Sequence, residues 1–168
     1  MKKLLLAVVF VAGLAAAPST ALATDANGNH DTYTWIVATD TAMAPDGSTI
    51  TIRGQGLLSA GPDHMAIGAG TFTTSGGGSG SWAATAVQGF VSYGPAGPEP
   101  FPLPPGSTGG EAKLKVSLNN GMSGVLTITC VLGSPPPSAM EGITLVLGAG
   151  VSAEYTMPAG GNTLFIAA

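Results

Sequence analysis

Two histidines, one cysteine and nine carboxylates are the residues of this chain able to move a proton, attack a carbon or hold a metal ion. His64 is the most suggestive. It shares a period-two phase with Ala66, Gly68, Gly70 and Phe72, so a strand through them would turn His64 to the side that Phe72 faces. A neutral imidazole in an apolar interior would be a general base or a hydrogen-bonding anchor. The competing expectation is a strand-end histidine at the rim, bonded to backbone or water. Asp63 is adjacent and would face the other way. Gln88 shares its phase with Trp82 and Phe90, so His64, Trp82, Gln88 and Phe90 form the candidate lining of an interior ligand site. Core packing is the plainer role for the two aromatics.

The other constellations fail on spacing. Asp25-Ala26-Asn27-Gly28-Asn29-His30-Asp31 places oxygen side chains as a calcium loop does. His30 stands where the turn glycine belongs, however, and Ile36 where a bidentate glutamate belongs. His30 and His64 lack a third ligand at zinc spacing. Cys130 lies between Ile128 and Leu132 in one phase and reads as a buried thiol. No Gly-x-Ser-x-Gly elbow occurs. Gly76-Gly77-Gly78-Ser79-Gly80 lacks the Lys-Ser/Thr of a phosphate loop and reads as a turn. No metal and no cofactor is expected.

The elements that would position these residues are strands. Ile50 and Ile52 alternate with Thr49, Thr51 and Arg53; Ala112, Leu114, Val116 and Leu118 alternate with Glu111, Lys113 and Lys115; Leu126, Ile128, Cys130 and Leu132 oppose Thr127 and Thr129. Such alternation predicts half-buried antiparallel strands. Further strands are expected at 32–39, 64–74, 80–93, 143–148, 151–157 and 163–166. Asn120-Gly121 is the strongest hairpin signal. On this pattern Arg53, Glu111, Lys113, Lys115 and Glu154 all point outward, which removes them from any interior active site. Pro95 to Pro105 fits neither strand nor helix and predicts a stiff loop, carrying Phe101 and Leu103, folded over one end. The fold class is therefore all-β: a single antiparallel β-barrel of about eight strands, or a two-sheet β-sandwich.

Met1-Lys2-Lys3, the apolar run Leu4 to Ala17 and the ending Ala21-Leu22-Ala23 have the three parts of an export signal. The run is shorter than the roughly 20 residues that span a bilayer. Cleavage after residue 23 would leave one all-β domain at 24–168. That domain keeps three cations, Arg53, Lys113 and Lys115, against nine carboxylates, a formal charge of −6. So few cations exclude nucleic-acid binding. Thr, Ser, Lys and Glu on the outer strand faces argue against an integral membrane barrel. The expected destination is extracellular, or periplasmic if the source has an outer membrane.

Ile67-Gly68-Ala69-Gly70-Thr71-Phe72, Ser75 to Trp82 and Ala83-Ala84-Thr85 resemble the Gly-rich hairpin of the allene oxide cyclase and dirigent barrel superfamily. That resemblance tips the choice toward a barrel. Gly70-Thr71-Phe72, Gly80-Ser81-Trp82, Cys130-Val131-Leu132-Gly133, Glu141-Gly142-Ile143 and Thr163-Leu164-Phe165-Ile166 are similar to a group of secreted bacterial β-rich proteins without assigned function. The residues themselves point to a secreted non-catalytic domain, structural or ligand-binding, whose partner is an extracellular surface component or a small molecule. The alternative, implied by the barrel resemblance, holds a small apolar ligand as a carrier or as a cyclase- or dirigent-like enzyme.

Overall fold

The computed structural model describes residues 32–148 and 154–168. Residues 1–31, on which the expected export signal and the oxygen-rich stretch 25–31 fall, and residues 149–153 lie outside them.

All of the described regular structure is β. The first half holds β1 (Thr32–Met43), β2 (Thr49–Ser59), β3 (Ala66–Thr74), β4 (Ser79–Pro95) and β5 (Ser107–Leu118). The second holds β6 (Ser123–Cys130), β7 (Gly142–Leu147), β8 (Glu154–Tyr155), β9 (Met157–Pro158) and β10 (Thr163–Ala167). They form one antiparallel sheet in which β1 to β8 pair in chain order. The last strand closes a ring of six: β10 pairs β1 through Trp35↔Phe165 and β5 through Phe165↔Thr108. Only Thr156 separates β8, which pairs β7, from β9, which pairs β1 through Ala42↔Pro158.

Turn chemistry sets which end of the sheet is tight. Three hairpins use the same device. Pro45-Asp46-Gly47, Ser75-Gly76-Gly77 and Asn119-Asn120-Gly121 each end on a glycine with φ of 83°, 84° and 84°. In each, that glycine N–H donates to the residue just before the loop: Ala44, Thr74 or Leu118. This is the three-residue hairpin whose left-handed closing position favours glycine. The connections at the opposite end, 60–65, 96–106 and 131–141, are longer.

Alternation builds the core. Ala112, Leu114, Val116 and Leu118 are buried, as are Ile50, Ile52, Leu126, Ile128 and Cys130, while Arg53, Lys113, Lys115 and Glu154 are exposed and Glu111 is partly so. At the centre, the rings of Trp35 and Trp82 stack with centroids 5.6 Å apart. They lie over a bare patch of sheet made by two cross-strand pairs, Gly54↔Gly70 and Gly56↔Gly68. Trp82 Nε1–H donates to the Arg53 carbonyl at 3.2 Å, whereas buried Trp35 Nε1 has no acceptor.

That asymmetry predicts a difference between two conservative variants. Trp82→Phe gives up a hydrogen bond, and Trp35→Phe removes an unsatisfied donor. Trp82→Phe should be the more destabilising by about 1 kcal/mol, measured by urea unfolding with the remaining tryptophan as reporter. The reverse order would show that the Trp35 indole is satisfied in solution.

Candidate functional site

The candidate interior residues do not converge. His64 is exposed, lies in the connection before β3 rather than in it, and has φ of 43°. A left-handed residue breaks the period-two phase, so the inward expectation for His64 is corrected. Its carbonyl, not its ring, is used, accepting the Val87 N–H at 3.1 Å. Gln88 is also exposed. β4 shifts register between Ala84 and Ala86 and again between Val87 and Gly89. Each bulge inserts a residue and reverses the alternation, so the inward set is Trp82, Ala84, Val87 and Phe90. Trp82 is core. Phe90 is half-buried against Tyr33, at 4.4 Å between centroids, and Phe165, at 5.2 Å.

The interior that these residues were expected to line is filled. The void among Ile52, Phe72, Trp82, Val116 and Leu126 measures about 10 Å³, space for about one water and none for an organic ligand.

A larger concavity lies at the long-loop end. Pro95 to Pro105 arches from β4 to β5 and encloses an open cleft of about 490 Å³ against Tyr33 and Ala167. Phe101 and Leu103, the apolar residues of the proline-rich run, both line it. The loop is fixed at its base. Ala96 N–H donates to the Ser107 carbonyl at 2.9 Å, Ser107 Oγ–H to the Pro104 carbonyl at 2.6 Å, and Thr108 Oγ1–H to the Gly94 carbonyl at 2.6 Å. Those two hydroxyls, both lining the cleft, have spent their protons on the loop and offer only lone pairs. Among the described residues Glu99 is the one carboxylate of the lining, and no Lys, Arg or His joins it. Among the described residues the lining holds no acid–base pair; Ser92 Oγ accepts the Gly94 N–H at 3.1 Å and keeps its own proton to donate, so Glu99 alone biases the cleft, toward a neutral or cationic guest.

A second polar centre escaped the sequence pattern. β1 shifts register between Val37 and Asp40, and the bulge at Ala38 and Thr39 turns Asp40 inward, with 0 % exposure. Neither carboxylate oxygen has a hydrogen-bond partner. Lost hydration pushes its pKa up to about 6, opposed by the nearby Asn162 amide and reinforced by the charge of Glu141. Glu141, in contrast, is fully engaged. Its Oε2 accepts the Val131 N–H at 2.8 Å, and its Oε1 accepts the Thr163 N–H at 2.9 Å and faces Thr163 Oγ1 at 2.6 Å. It thus ties the 131–141 connection to β10. Cys130 lies nearby with its thiol pKa raised, chiefly by burial, which leaves it unreactive. Among the described residues no group of three or more His, Cys, Asp or Glu is placed to hold a metal ion.

Comparison with protein-family models, curated proteins and solved structures returns no match.

Proposed function

We propose that this chain is an exported, non-catalytic ligand-binding domain whose site is the cleft beneath the proline-rich loop. The observation that carries this reading is the contrast between a filled interior and an open, pinned cleft of about 490 Å³, within the size range of small-molecule sites. Its apolar wall of Tyr33, Phe101 and Leu103 beside Glu99 suits a molecule with one apolar face and a neutral or positively charged donor group. Substrate turnover is not part of the proposal, because among the described residues Glu99 has no acid or base opposite it and Asp40 is sealed from solvent.

The fold is read more finely as a barrel. Strands β1 to β7 and the segment 154–158 make a circuit of eight, with β10 as a shortcut between β1 and β5. The Gly-rich resemblance to the cyclase and dirigent superfamily supports this reading. A carrier function in that circuit would have to use the cleft, since the interior is occupied by side chains. Export rests on the leader pattern and gives a mature chain starting at Thr24.

Secreted material tests these points together. Its intact mass should correspond to residues 24–168. Amide chemical-shift mapping with spermidine, choline, cellobiose and benzoate should place shifts from the first three classes at 92–108 and Tyr33, with none from the anion. Phe101→Ala should weaken binding about tenfold without lowering the melting temperature, since that ring is 56 % exposed. Shifts confined to another surface, or selective benzoate binding, would refute the assignment.

A further inference from the structure

We propose that Asp40 is a proton-operated latch: neutral, it seats the Ala159–Asn162 strap against the bulge in β1, and ionised, it loosens that strap. The strap joins β9 to β10 and runs along the bulge. Ala38 N–H donates to the Asn162 carbonyl at 3.1 Å, Thr41 N–H to the Gly160 carbonyl at 2.8 Å, and Ala159 N–H to the Thr41 carbonyl at 2.8 Å. Asp40 lies between these bonds with its carboxylate pressed on Gly161, where a β-carbon would collide with Oδ1. Gly160 and Gly161, with φ of 121° and 155°, give the strap the backbone freedom to pass so close.

A charge in this position is offset only in part, by the backbone amide of Asn162 in the strap, and that is less than its burial costs. Among the described residues Asp40 forms no ion pair, and beyond the nearby Asn162 amide nothing donates to its carboxylate. The charged group that acts on it is Glu141, a second acid, from the 131–141 connection. On the neighbouring strand β2, Arg53 is exposed and commits Nε–H to the Ala38 carbonyl at 2.8 Å. The buried Cys130 thiol of β6 stays neutral. Ionising Asp40 therefore places an unhydrated negative charge beside another carboxylate, and the least costly relief is to lift the strap and admit water.

The direction with pH follows. The closed state holds its proton to about pH 6, while a hydrated aspartate releases it near 3.8. Between those values the closed state binds more protons than the open one, so acidification favours closure and rising pH favours opening. The latch takes its proton from solvent. The full span corresponds to a change of about 100-fold in the opening equilibrium, level above pH 6 to 7 and below about 4.

Hydrogen exchange of the Ala38, Thr41 and Ala159 amides from about pH 4 to about pH 8, corrected for intrinsic rates, measures this. Protection in the wild-type protein should fall by up to about 100-fold across the window and stay flat in Asp40→Asn. Parallel profiles in the two proteins would overturn the latch. Should Asp40→Asn not fold, the wild type decides: protection of the three strap amides should change with the same midpoint as the ¹³C carboxyl titration of Asp40, and protection that stays level through that titration, or a carboxyl midpoint near 4, overturns the latch. Protection regained at pH 8 on adding millimolar calcium chloride would also overturn it, making the pocket a cation site.

Discussion

Gly70→Ala is expected to lower the unfolding free energy by about 3 kcal/mol. An alanine in an extended strand ordinarily does the opposite, stabilising by roughly 0.5–1 kcal/mol because it restricts the unfolded chain. The reversal comes from what lies over the sheet. A β-carbon on Gly70 would collide with the Arg53 carbonyl and sit 2.7 Å from Trp82 Nε1. It would displace the acceptor of the Trp82 hydrogen bond as well as the ring. Because Trp82 stacks on Trp35, and Trp35 covers Gly56 and Gly68, the displacement has nowhere to relax within a close-packed interior. Gly97→Ala is the control, since a β-carbon there meets nothing within 4 Å. Urea unfolding followed by tryptophan fluorescence checks both. Equal stability of Gly70→Ala and wild type would mean that the indoles do not lie on the glycine patch.

The second large effect is expected at Glu141. Glu141→Ala removes the acceptor for the Val131 and Thr163 amides at once, and charge-assisted bonds of this kind contribute about 1.5–3 kcal/mol each. Partial exposure lets water replace some of that, so a loss of about 3 kcal/mol and a drop in melting temperature on the order of 10 °C are expected. Glu141→Gln separates charge and geometry from volume. The amide keeps one acceptor oxygen and turns an NH₂ toward one of the two N–H donors, so it should recover no more than about half the loss. Exchange at the Val131 and Thr163 amides should rise in both variants. Full rescue by glutamine would show that filling the space, not accepting two amides, is what Glu141 contributes.

The strands were legible in the sequence because each buried side chain on one face has a polar neighbour on the other. Glu111 to Leu118 follows that rule residue by residue, and so does Thr49 to Arg53, whereas Leu126 to Cys130 departs from it at Thr129, which is buried as well. The rule fails where a strand carries an extra residue. β4 bulges among Ala, Thr, Val and Gly, none of which signals a break, so counting by twos from Trp82 brought Gln88 inward when it is exposed. Asp40 was lost the same way, by the bulge at Ala38 and Thr39. Alternation alone extends β3 back to His64, because backbone handedness is not written in it. The proline run did locate the loop over one end, including the residues that wall the cleft. Glu141 stands in one of the motifs that carry the resemblance, but its tying role leaves no local trace, since its partners are 10 and 22 residues away.

Ring closure by β10 also fixes an order of events in folding. Hairpins β1–β2, β3–β4 and β5–β6 join neighbours in sequence and can form early, but the seam linking Thr108 to Phe165 and Trp35 to Phe165 joins opposite ends of the domain. Contacts so distant along the chain are slow to find each other. Until the final strand docks, two strand borders stand open to any other extended peptide, and self-association competes with completion most strongly in that interval.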